Sequence, residues 1–129
     1  HKSKTIKMNF EGLMSAIDID IEKADAIKFD NYPENIVNGE VPATTLTKVL
    51  DHYFSNHEKR KIDLLVLDVE GYEVNVLKGL SFVHYSPKYI LCEARTIEDQ
   101  SSIKNFLTSK KYLLVTKVSD NDYLYCRND

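Results

Sequence analysis

Ile62-Asp63-Leu64-Leu65-Val66-Leu67-Asp68-Val69-Glu70-Gly71-Tyr72-Glu73 is the stretch on which the reading of this chain turns. Leu64 to Leu67 are apolar without alternation, as in a strand of a parallel sheet covered on both faces, although periodicity by itself also admits a buried helix segment. Asp68 to Glu73 then turn the chain, with Gly71 easing the bend, into a helix on which Val74, Leu77 and Leu80 share a face.

Working outward, Pro87 precedes a second buried strand, Tyr89-Ile90-Leu91-Cys92-Glu93. A helix is expected over about 98–109. Glu98 and Asp99 fall in its first turn, Ile103, Phe106 and Leu107 form its apolar stripe, and Lys110 and Lys111 stand where cations complement the helix dipole. Tyr112 to Lys117 and Tyr123 to Cys126, joined by Ser119-Asp120-Asn121-Asp122, read as a β-hairpin. Upstream, Pro42 and Thr44-Thr45 signal a helix start, with Thr45 as the cap and Leu46, Val49, Leu50, Tyr53 and Phe54 as the stripe. Residues 41–129 thus follow an αβαβαββ order, which defines an α/β domain. Residues 1–40 read as a β-rich arm or excursion, with short alternating runs at Thr5–Phe10, Ala16–Ile21 and Ala26–Phe29.

Composition excludes several functions. At 129 residues there is room for one core. No apolar run approaches the roughly 18 residues that span a bilayer, and the basic start His1–Lys7 is not followed by a signal-peptide core, so the cytoplasm is the default location and no membrane partner is expected. A net charge of −3 argues against nucleic acid, whose binding needs a basic face. The only basic cluster, residues 57–61, ends a helix and reads as a solvated terminus. Cys92 and Cys126 lie in apolar runs without CxxC or Cys/His spacing, as reduced, free thiols would. His52 and His57, five apart, do not align on one helical face.

Ligands of open α/β sheets bind outside the carboxyl ends of the strands. Asp68 and Glu70 follow the first strand and Glu93 ends the second. If these strands are parallel neighbours, the three carboxylates converge, and could take a proton from a hydroxyl, hydrogen-bond a sugar, or hold a divalent metal, for which Asp68 and Glu93 are the candidates. Spacing leaves a second reading open, in which Asp68 and Glu70 cap the following helix. The four glycines, Gly12, Gly39, Gly71 and Gly79, form no Gly-x-Gly turn, so no loop here lets backbone approach a nucleotide.

Val41-Pro42-Ala43-Thr44-Thr45-Leu46, the 62–79 segment through Val76-Leu77-Lys78-Gly79, and Pro87–Glu93 resemble the FkbM methyltransferase family, with its "VPxxTL" helix start, "IDLLKIDVEGxExxVLKG" strand and turn, and following strand ending in Glu. The resemblance covers roughly residues 41 to 115, and Gly12-Leu13-Met14-Ser15 is weakly similar to a Gly/Ser excursion before the helix start. It implies part of a class I methyltransferase (Rossmann-like) sheet with a C-terminal antiparallel hairpin. The strands ending at Asp68 and Glu93 would be the fourth and fifth of seven. It implies S-adenosylmethionine as cofactor and a hydroxyl of a sugar or natural product as acceptor, with Asp68 and Glu70 at the reacting centre and Glu93 orienting the acceptor or a metal. Which carboxylate acts as base stays open. Val66 stands where the family commonly has Lys before its turn, so any role of that Lys is absent.

By the same resemblance, the cofactor-binding N-terminal half is expected to be missing, the chain being a fragment or a degenerate relative and inactive alone. The strand at residues 62–68 would then be an open edge, to be paired by that half or by a second copy in a homodimer. The expected strand order, counting from Ile62, is first, second, fourth, third, with only the last antiparallel. A non-catalytic interaction module derived from this fold is the alternative function.

Overall fold

The computed structural model describes residues 4–10, 16–17, 37–55 and 61–128. The expected strand at Ala26–Phe29 and most of the basic cluster 57–61 lie outside these. The chain divides into two compact units, His1–Thr44 and Thr45–Asp129.

In the first unit, β1 (Lys4–Phe10) pairs antiparallel with β2 (Ala16–Ile17) and with β3 (Val37–Ala43), in the order β2-β1-β3. The run at Thr5–Phe10 therefore forms the strand its alternation suggests. Val41 to Ala43, expected to lead into a helix, instead close β3. Pro42 stands on an edge strand of this sheet, the position in which proline is tolerated.

The second unit begins with α1 (Leu46–Tyr53), capped by the Thr45 side chain, which accepts from Lys48 N–H. Its apolar stripe stays partly open: no residue of α1 is buried, and Tyr53 is 67% exposed. After it come β4 (Leu64–Leu67), α2 (Glu73–Lys78), β5 (Tyr89–Glu93), α3 (Ile97–Ser109), β6 (Tyr112–Lys117) and β7 (Asp122–Arg127). The sheet order is β4-β5-β7-β6, with β4 and β5 parallel and β7 antiparallel to both its neighbours, the order expected from the sequence. α3 begins with a capping box in which Thr96 and Asp99 satisfy each other's backbone N–H groups.

The core lies on one face of this sheet. Leu67, Ile90, Cys92, Tyr123 and Tyr125 cluster with Leu77 of α2 and Ile103 and Leu107 of α3. Tyr112 is buried and donates its hydroxyl to Pro87 C=O at 2.6 Å, so the ring packs without an orphaned polar tip. The opposite face is different. Leu64 and Val66 alternate onto it and are 51% and 56% exposed. The expectation of burial on both faces therefore fails for β4: it is an edge strand, and the buried residues of α2 and α3 that are apolar all join the cluster on the other face.

Thr47 locks α1 to the segment after α2. Its hydroxyl donates to Gly79 C=O at 2.7 Å and accepts from Ser81 N–H at 2.7 Å, and its N–H also reaches Gly79 C=O. A Cβ at Gly79 would meet Val76 C=O at 3.2 Å and Leu46 N at 3.5 Å, so the missing side chain serves this close approach. Both cysteines are free. They stand on adjacent strands, but Cys92 faces Tyr123 while Cys126 faces Tyr89, three ladder positions away, so their sulfurs are not juxtaposed. Burial, with the nearby Glu73 charge, pushes the Cys92 thiol up to about 12.

Candidate functional site

The turn after β4 is built by unusual backbone. Glu70 has φ +55° and Gly71 φ +90°, and Tyr72 N–H donates to Val69 C=O at 3.2 Å. Two consecutive left-handed residues closed by that bond have the character of a type I′ turn. Gly71 accepts the conformation freely. A Cβ there would meet nothing within 4 Å, so the need for glycine is conformational and not steric. Glu70, which has a Cβ, sits in left-handed space at a cost of about 1 kcal/mol. Strain of this kind persists only where surrounding contacts hold it.

Glu73 supplies such contacts. Its side chain is almost fully buried, and Oε1 accepts from Val69 N–H at 3.1 Å and Gly71 N–H at 3.2 Å. α2 itself has Tyr72 at its N-cap, without a side-chain cap. Neither Asp68 nor Glu70 caps the helix, which removes the second reading of those residues.

The carboxyl ends of the parallel strands β4 and β5 lie side by side, with Leu67 opposite Cys92. Asp68 and Glu70 therefore emerge beside Glu93. Between them stands a residue the sequence reading missed. Arg95 forms ion pairs with both Glu70 and Glu93, its Nε lying 3.0 Å from Glu93 Oε2. Ala94 N–H is tied to Asn121 C=O at 2.8 Å, which anchors the chain just past β5 and so helps to hold Arg95 over the strand end. No local signal marks it, because Arg95 lies two residues past the end of β5 and its partner Glu70 is distant in sequence.

Electrostatics separate the carboxylates. Glu93 Oε2 is buried, and no well-aligned hydrogen bond reaches it among the described residues. Burial raises the Glu93 carboxyl above the ordinary glutamate range; contact with Arg95 and its charge oppose the rise, and the negative charges of Asp68 and Glu70 add to it. Asp68 is exposed and acts on Glu93 through its charge. The structure thus brings Glu70 and Glu93 together through Arg95, with Asp68 at the rim.

A divalent metal held by Asp68 and Glu93 is not what this arrangement favours. The cation between Glu70 and Glu93 is the Arg95 guanidinium, and no group of three or more His, Cys, Asp or Glu among the described residues is arranged to hold a metal ion. Of the glycines whose surroundings are described, Gly79 is filled by the protein's own backbone and Gly71 serves a turn, and neither belongs to a Gly-x-Gly loop.

The sequence matches the family described as "Methyltransferase FkbM domain" over residues 9–115. That span is most of the chain, and the protein belongs to this family of methyltransferases. The match begins well before the helix-start motif, at residue 9. It ends within β6, leaving β7 outside. No match was found among curated proteins or among solved structures. No helix among the described residues is long and apolar enough to cross a membrane.

Proposed function

We propose that this chain provides the acceptor side of an S-adenosylmethionine-dependent O-methyltransferase, acting in the cytoplasm on a hydroxyl of a small molecule or saccharide. In this reading the β4-β5-β7-β6 sheet is part of a class I, Rossmann-like sheet, and the cofactor is not held by the residues described above. What supports it, besides the family, is one observation: at the carboxyl end of a parallel strand, Glu93 Oε2 is a buried acceptor that, among the described residues, has only the ion-paired Arg95 Nε near it, at 3.0 Å and out of hydrogen-bond alignment. A buried oxygen of that kind is completed by a donor brought from outside, and an alcohol O–H is such a donor. A carboxyl raised above its usual range is also better matched to taking the proton that the hydroxyl must lose. Glu93 then orients the acceptor and receives its proton, Arg95 holds Glu93 and Glu70 in place, and exposed Asp68 meets the acceptor's outer hydroxyls.

A second reading concerns partners. Leu64 and Val66 leave half their surface open on the edge strand β4. An apolar edge favours pairing with further chain, and we include pairing along residues 62–68, by a second copy or by an additional segment, in the proposal.

The test uses the protein at the length at which it occurs in its source, incubated with S-adenosylmethionine and a panel of saccharide and polyol acceptors. Methyl ethers, formed one for one with the demethylated cofactor, are the expected products. Methylation confined to nitrogen or carbon acceptors, or none at all, overturns the reading.

A further inference from the structure

We infer that Glu73 is a positioning residue for this site: its buried carboxylate holds the left-handed Glu70–Gly71 turn in the one geometry that delivers Glu70 to Arg95. Three observations carry this. Glu73 is 2% exposed, yet its Oε1 is spent on two backbone N–H groups, those of Val69 and Gly71, which flank Glu70 on either side. Glu70 occupies a conformation that its own Cβ disfavours. The Glu70 side chain, leaving that turn, ends in the ion pair with Arg95, which also holds Glu93.

The chain of cause runs outward from the core. α2 carries Glu73 in its first turn and Leu77 one turn on, and Leu77 is fully buried in the hydrophobic cluster. Packing of Leu77 fixes the helix, the helix fixes Glu73, and Glu73 fixes the turn. An acceptor is what the turn needs, and either a carboxylate or an amide oxygen supplies one. Glu73 acts through backbone and not through the side chains of the candidate site. Its role in catalysis rests on the acceptor-site reading of Glu70, Arg95 and Glu93, whereas its geometric role does not.

The measurement is the solvent exchange of the Arg95 Nη–H resonances, the group that meets Glu70, in nitrogen-15-labelled protein at low temperature, assigned by their loss in Arg95→Lys. In Glu73→Ala that exchange should speed by about tenfold or more as the turn opens. In Glu73→Gln it should stay near the wild-type rate, because the amide oxygen still accepts both N–H groups. General destabilisation would not restore the signal selectively in the Gln variant. If Glu73→Ala does not fold, Gly71→Ala strains the same turn from an open position and should speed exchange likewise. A folded Glu73→Ala or Gly71→Ala protein with unchanged Arg95 exchange overturns the assignment, as does loss of protection in Glu73→Gln equal to that in Glu73→Ala. Wild-type protein that transfers no methyl group would defeat the proposed function, and this test would still decide the part Glu73 plays.

Discussion

Arg95 Nε lies 3.0 Å from Glu93 Oε2, yet that oxygen is buried without an aligned hydrogen bond among the described residues. The pair is an ion pair with an unmet acceptor, and burial outweighs the arginine in setting the carboxyl's affinity for its proton. Because the folded protein holds that proton more tightly than the unfolded chain, stability from Glu93 is fully present below the ordinary glutamate range. It is lost as pH rises through the raised folded value.

Glu93→Gln removes this loss. Its melting temperature relative to wild type should therefore climb as pH rises from the ordinary glutamate range through the raised folded value. Thermal scans of both proteins across that range check the sign. A difference that is flat, or that falls with pH, contradicts the raised carboxyl.

Glu70→Asn separates stability from function. Asn tolerates left-handed backbone better than Glu, recovering part of about 1 kcal/mol, while a partly exposed ion pair of this kind contributes about 0–1 kcal/mol. The variant should melt at or above the wild-type temperature while losing at least about tenfold in methyl transfer. A melting temperature lowered by several degrees would show that the turn is not strained at Glu70.

Thr47→Val keeps the shape of the side chain but leaves Gly79 C=O and Ser81 N–H with one partner fewer. Loss of these part-buried bonds should cost about 1–2 kcal/mol, read as a lower urea midpoint at unchanged slope. An unchanged midpoint would mean that α1 is not held to the end of α2 by this residue.

Much of the sheet was legible because its strands are short apolar runs bounded by Gly, Pro and charge: Leu64–Leu67 and Tyr89–Glu93 appear where their apolar runs place them. The strand order followed from the helix between two parallel strands, from the hairpin and from the family resemblance. Two features were not legible, for different reasons. β3 was hidden because Pro42 with Thr44-Thr45 reads as a helix start, whereas an edge strand also accommodates proline. Arg95 was hidden because a single basic residue after a strand carries no local pattern; its meaning comes from Glu70, brought alongside by the parallel pairing of β4 and β5. Asp68, Glu70 and Glu93 were legible as a group because all three sit at carboxyl ends of strands. Their inequality was not, since burial of Glu93 and exposure of Asp68 depend on packing.

The central claim is that Glu93 receives the proton of an acceptor hydroxyl at this strand end. The most direct measurement is the methyl-transfer rate of Glu93→Gln against wild type, at native length and saturating S-adenosylmethionine, with the Glu93→Gln protein verified as folded. The substitution keeps the size of the side chain and removes its capacity to take a proton, so kcat should fall about 10²-fold or more while the acceptor KM changes little. A Glu93→Gln enzyme turning over at the wild-type rate would contradict the claim.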